Sequence, residues 1–412
     1  GNAQGNSGFL HPEGIYDDPK GGEFRAKIYS RLRAHFQFQN ELSLFSEVDH
    51  HAKFSVNIYA TELMSEINIK NIANLYQPST IDSAFSHGGQ GPVPGIKTDE
   101  NTWNTAGHAS RIVHVDETVL KTFAQLYDEA GTPFLQARLP AIHSQELISV
   151  LEKFAAQPKR LGDLKGEYYS LEMWHETNAQ NDGTIERATQ FPASPDQWVL
   201  SGPHFFVGNP FNKTPRKECI ANSHYDVIDL TDLPADYLPR TNYVPACSAE
   251  EYRQRTPTVP WIEEGESSAK RVTEYYRHTN REMVGSSSER TLISHIMTKG
   301  VASINTCLST AFKNTQDLLD YHSFCLSIPV DYRVKSTGMG HANTSLINQL
   351  PTIGYGQERY RTPLHARALG LNCMSGTYGD LWHEGFRDEF NLDSWTSNSK
   401  NLDSAYFSKL VR

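Results

Sequence analysis

Hydrophobic and polar positions in the first sixty residues follow two different periods. Phe9 and Leu10 run into Pro12 and a turn-rich stretch holding Gly14, Asp17, Asp18 and Pro19, the composition of a strand that ends before a helix begins. Phe24, Ile28, Leu32 and Phe36 then recur every four residues among Arg25, Lys27, Arg31 and Arg33, which predicts an amphipathic helix. Phe54, Val56 and Ile58 alternate with Ser55, Asn57 and Tyr59, the period of a half-buried strand. Strand, helix, strand is the order found at the edge of a doubly wound sheet. A few strands do not make a stable sheet alone, so the piece reads as the tail of a larger one.

From 78 to 107 the chain is rich in Gly, Pro, Ser and His around GGQGPVPG at 88–95, which predicts a long loop or linker. Helical periodicity returns at 118–127 and 144–155, and the basic hinge Pro158-Lys159-Arg160 marks the main boundary. Beyond it lie turns and aromatics. Strand-like runs at 291–297 and 301–309, joined by Thr298-Lys299-Gly300, predict a β-hairpin. Leu318, Leu319, His322, Cys325 and Leu326 share one helix face until Pro329.

Charge narrows the function classes. The chain has 38 basic and 48 acidic residues, net −10, so it cannot coat DNA by overall charge, and any nucleic-acid role must rest on a local basic surface. Cys219, Cys247, Cys307, Cys325 and Cys373 form no Cys-x-x-Cys pair and read as reduced thiols. No apolar run has the length of a membrane helix and no leader pattern opens the chain, so a cytoplasmic protein without a membrane partner is expected.

Several motifs invite chemistry and fall short of it. The 88–95 glycines lack the Lys-Ser/Thr of a phosphate-binding loop. Asn209-Pro210-Phe211 has one proline where amino-methyltransferases carry two, and reads as a turn in a recognition loop. Trp174-His175-Glu176 and Trp382-His383-Glu384 have no second His to complete a zinc helix, and His50 and His51, if on a strand, face opposite ways. Asp163-Leu164-Lys165 lacks the upstream carboxylate of a nuclease centre. No catalytic or metal-binding residue is therefore expected.

Two basic features remain. Asn212, Lys213, Thr214, Arg216 and Lys217 lie in a Pro-bracketed loop that mixes cations, amide and hydroxyl, the groups that contact phosphates and base edges, although a solvated loop has the same composition. Lys270, Glu274, Arg277 and Arg281 follow a 4, 3, 4 spacing that predicts one helix face, with Val272, Tyr275, Tyr276 and Met283 opposite; this is either a DNA-facing or a plain solvent face.

Taken in order, several stretches resemble the C-terminal part of large adenine-specific DNA methyltransferases of restriction-modification and phage-defence systems. Gly8-Phe9-Leu10-His11-Pro12-Glu13-Gly14, Phe36-Gln37-Phe38-Gln39-Asn40-Glu41 and Phe45-Ser46-Glu47-Val48-Asp49 resemble the late strands of the methylase fold. Glu289-Arg290-Thr291-Leu292-Ile293 through Ile304-Asn305-Thr306, then Leu326-Ser327-Ile328-Pro329-Val330-Asp331-Tyr332 and Gln349-Leu350-Pro351, resemble the target-recognition domain. The resemblance implies an α/β protein: a partial methylase-type sheet at 1–60, a loop-rich and helical connector at 61–160, a mixed α/β recognition domain at 161–355 and a helical extension at 356–412. It implies double-stranded DNA and a methylase catalytic half as partners. The Phe-x-Gly-x-Gly cofactor loop and the full Asn-Pro-Pro-Tyr/Phe motif do not occur, so S-adenosylmethionine is expected only for the complete parent enzyme and this chain alone is expected to be inactive. A docking module of a defence complex, with no DNA readout of its own, is the alternative.

Overall fold

Leu32-Arg33-Ala34-His35-Phe36-Gln37-Phe38-Gln39 alternates strictly between apolar and polar side chains, and the computed structural model, which describes residues 5–285 and 288–392, folds it as a strand. The predicted helix stops early, at Gly22–Ile28. A spacing of four is two strand periods as well as about one helical turn, so Leu32 and Phe36 fit either element, and the polar residues between them decide. Two compact units form: one runs up to Gln157 and includes Lys335–Gly338, the other comprises Pro158–Val334 and the chain from Met339 onward.

Five strands make the sheet of the first unit: β1 (Asn6–Pro12), β2 (Leu32–Gln39), β3 (Lys53–Ala60), β4 (Asn68–Leu75) and β5 (Val113–Asp116), in the order β1-β3-β2-β4-β5. β4 runs parallel to β2, while the other neighbours pair antiparallel. The sheet is thus mixed, not doubly wound, and it continues past Ala60 through β4 and β5. Phe38 and Phe54 stack across β2 and β3 at 5.4 Å, and with Ile72, Leu75 and Ala84 they form an apolar core. The opposite side of β2 is polar but satisfied. His35 lies 3.1 Å from Glu13 and 2.6 Å from Asn71, and Gln37 donates to Glu13. Burial raises the Glu13 pKa, but His35 and hydrogen bonds from Ser55 and Gln37 outweigh it and leave the carboxyl below its ordinary value. The glycine-rich stretch from 87 to 108 carries no helix or strand.

The second unit is organised around a four-stranded antiparallel sheet, in the order Ser294–Met297, Arg277–Arg281, Cys307–Phe312, Tyr168–Leu171. Its strands, in chain order, are β6 (Tyr168–Leu171), β7 (Ile185–Gln190), β8 (Val199–Leu200), β9 (Lys213–Pro215), β10 (Tyr225–Val227), β11 (Thr241–Pro245), β12 (Arg277–Arg281), β13 (Ser294–Met297), β14 (Ala302–Ser303) and β15 (Cys307–Phe312). The expected hairpin at 291–309 does not form, because β12 lies between β13 and β15 and pairs with both. Arg277 and Arg281, expected on a helix face, lie on β12 itself, the strand that separates the two runs expected to pair. β7 and β11 pair, as do β9 and β10, and β8 pairs parallel with β14. Trp174, Ile185, Val199, Tyr243, Tyr252 and Val259 belong to the core between these ladders.

Helices at Thr315–Cys325, Arg361–Asn372 and Gly379–Gly385 complete the described part of the unit. Pro329 enters the next helix, Ile328–Lys335, at its first turn, where its missing N–H leaves no helical bond unmade. Residues 393–412 of the expected extension lie outside the described residues. Among the described residues no helix is long and apolar enough to cross a membrane.

Candidate functional site

The hairpin made by β9 and β10 positions the first group of expected DNA contacts. Lys213 pairs with Val227 and Pro215 with Tyr225, and the chain between them, 216–224, forms the tip. Asn212 and Thr214 hold the hairpin in place. The Asn212 amide N–H donates to His204 O, its side chain reaches Pro203 O at 3.4 Å, and Thr214 Oγ1 accepts from the Arg240 N–H at 3.0 Å. Arg216 and Lys217 are exposed and Lys213 is half-buried. Arg216 pairs with Asp226 at 2.9 Å on the same hairpin, whereas Lys213 and Lys217 have no ion-pair partner among the described residues.

The tip of this hairpin is one wall of a cleft of about 440 Å³, within the range of ligand-binding sites. Cys219, Ile220, Ala221 and Tyr225 come from the hairpin; Arg187, Asn242 and Tyr243 from β7 and β11; Ser201 from the end of β8; and Arg281 from the end of β12. The β7–β11 register sets Arg187 opposite Tyr243, and the guanidinium, 5.8 Å from that ring, donates to Cys219 O at 2.6 Å. Asn242 donates to the Tyr225 hydroxyl at 2.8 Å, which lies 3.2 Å from Ser201 Oγ. Tyr243 donates to Glu176. Burial raises the pKa of Tyr225 and Tyr243, so both are neutral donors at physiological pH. Arg281 donates to Phe205 O, and burial lowers its pKa from the ordinary value. Two guanidiniums, a carboxylate, hydroxyls and an amide on one concave surface can hydrogen-bond to a polar, planar or anionic ligand. Exposed Ile220 (83%) and Met283 (72%) also belong to its lining.

The structure thus brings Asn212, Lys213, Thr214, Arg216 and Lys217 onto one hairpin and places Arg281 in the adjoining cleft. The two remaining expected residues are elsewhere. Lys270 is held by Glu263 and Glu266, and Arg277 is fully buried in β12, where it donates to Val301 O. Arg187, Ser201, Tyr225, Asn242 and Tyr243 were not expected. Arg187 and Tyr243 are 56 residues apart and meet only because β7 pairs with β11, so no local pattern announces them. In Asn209-Pro210-Phe211, the Asn209 side chain accepts from the Phe211 N–H at 2.8 Å and closes its own turn. Phe211 is fully buried, 6.3 Å from Trp198.

No family model matches the chain, and no curated protein matches it. Among solved structures, one similar chain is the type IIG restriction endonuclease BpuSI, 10% identical with a TM-score of 0.26, over 88% of this chain and 42% of that one. The chain therefore spans less than half the length of that protein. A likeness at this level carries no weight for fold or function.

Proposed function

We propose that the second unit reads duplex DNA as the target-recognition portion of an adenine-specific DNA methyltransferase of the restriction-modification or phage-defence kind. The observation that carries this reading is the hairpin 213–227, which sets Lys213, Arg216 and Lys217 beside a cleft holding Arg187, Arg281, Asn242 and Ser201. An acidic chain must present cations locally to approach a polyanion, and this hairpin, with Glu218 and Asp226 as its acids, keeps Lys213 and Lys217 without an ion-pair partner among the described residues. A two-stranded ribbon has dimensions that a DNA major groove admits, and guanidinium and amide groups are the ones that read base edges there. The parent reaction in this reading is methyl transfer from S-adenosylmethionine to the exocyclic amine of adenine, with catalysis supplied by a methylase half. Support for a continuing sheet comes from β1, an edge strand with Phe9 and Leu10 each 55% exposed.

A second reading, a docking module without DNA readout, draws on one observation: Ile220, Val227 and Met283 are all more than 70% exposed, the first two on the hairpin itself. Binding of the full chain to random and site-selected duplexes across a salt series separates the two. Affinity that falls steeply with salt, together with a selectable sequence, supports recognition. Affinity absent even at low salt leaves docking.

A further inference from the structure

We propose that Glu41, His50 and His51 form a binding site for a divalent transition cation of the zinc class. His50 and His51 do not lie on a strand. They sit in a turn before β3, so the alternation that would send neighbouring side chains to opposite faces does not apply. Their rings lie 3.8 Å apart, centroid to centroid, and His51 Nδ1 is 3.1 Å from Glu41 Oε1. One ligand atom from each of the three residues falls within a 4.8 Å cluster. A tetrahedral ion about 2.0–2.2 Å from each ligand needs those atoms roughly 3.3–3.5 Å apart, and His51 Nδ1 and Glu41 Oε1 already lie 3.1 Å from each other. Two imidazoles and one carboxylate are a donor set that suits zinc, nickel or cobalt, and three ligands leave a fourth position for water.

The surroundings hold this geometry in place. Asn40 is fully buried and clasps the loop: its side chain donates to Phe45 O and Val48 O and accepts from the Phe45 N–H, while its own N–H donates to Ala52 O. Asp49 accepts from the His51 N–H at 2.7 Å and fixes the turn. Gln39 donates to Glu41 Oε1 at 3.1 Å, an outer-shell bond that orients the carboxylate. The Glu41 side chain is only 10% exposed whereas both histidines are exposed, so an ion from solvent reaches the imidazoles directly and closes onto the sheltered carboxylate. The site belongs to the first unit and is independent of the DNA-reading proposal for the second.

The test is calorimetric titration of the tag-free full chain, stripped with chelator, with Zn²⁺. One saturable equivalent is expected, together with a chelator-reversible rise in melting temperature. Glu41→Gln, His50→Ala and His51→Ala should each weaken the affinity by about tenfold or more, as should Gln39→Ala through the outer shell, whereas His114→Ala, at an exposed histidine elsewhere, should leave it unchanged. Circular dichroism in chelator checks that the variants remain folded. The proposal is overturned if the parent shows no saturable equivalent, or if the folded His50→Ala/His51→Ala double variant binds Zn²⁺ as the parent does.

Discussion

The hairpin 213–227 and strand β12 carry similar basic side chains, yet the first leaves Arg216 and Lys217 in solvent and the second encloses Arg277 and His278. β9 and β10 pair with each other over three residues, and Arg216, Lys217, Asp226 and Val227 stay exposed. β12 is bonded on one side to β13 and on the other to β15, and the helix Thr315–Cys325 packs against it. Arg277, His278, Thr279 and Asn280 are consequently fully buried. At the two-stranded ribbon Lys217 stays exposed to a ligand, whereas on the central strand Arg277 donates to Val301 O, its Nε and Nη1 have no partner among the described residues, and burial pushes its pKa down to about 9.

The interior of β12 is where the largest effect is expected. The Ile296 N–H donates to Asn372 Oδ1, which fixes the amide so that Asn372 Nδ2 faces His322 Nε2 at 3.0 Å. His322 Nε2 is therefore the acceptor, its Nδ1–H donates to His278 Nδ1 at 2.9 Å, and both rings are neutral. Burial lowers both pKa values, that of His278 to about 3. The unfolded chain takes up these protons below about pH 6.5 and the folded chain does not, so stability falls as pH falls from about 6.5 toward 3. At pH 5 the His278 imidazole alone should cost roughly 2 kcal/mol relative to pH 7.5, and His322 adds to it in the same direction. Urea midpoints between those pH values check this. His278→Phe should flatten the dependence, and an unchanged slope would count against a neutral histidine pair.

Arg277→Ala should come next, costing about 3 kcal/mol through the cavity it leaves in the sheet, while DNA affinity of the folded protein stays unchanged. A loss of DNA affinity without loss of stability would erase the contrast between strand and hairpin. Lys213→Ala and Lys217→Ala should show the converse. Stability should shift by less than about 0.5 kcal/mol, and the log-log salt slope of DNA binding should fall by about one for each phosphate that is no longer neutralised. Unchanged binding by both variants across the salt series would make the hairpin a solvated surface. Smallest of all is the Arg216–Asp226 pair. Both side chains are more than half exposed, so a double-mutant cycle on melting should return less than about 0.5 kcal/mol of coupling. A larger coupling would show a hairpin more rigid than its three-residue ladder implies.

The sequence by itself determined the mixed α/β class, the alternation that makes β3 a strand, the helices Glu117–Tyr127 and Glu146–Ala155, and the concentration of cations at 212–217. Each of these is a local property, carried by side-chain period or composition within a dozen residues. The tertiary structure decided the rest. Leu32 and Phe36, like Arg277 and Arg281, are four apart, a spacing that suits a strand face and a helix face alike; pairing with β3 and β4 settles the first as β2, and pairing with β13 and β15 settles the second as β12. Strand pairing brought Arg187 to Tyr243, and a buried Asn40 folded Glu41 back to His51. A ladder joins residues by hydrogen bonds to distant partners, and a clasped loop by the geometry of its closure, so neither leaves a periodic trace along the chain.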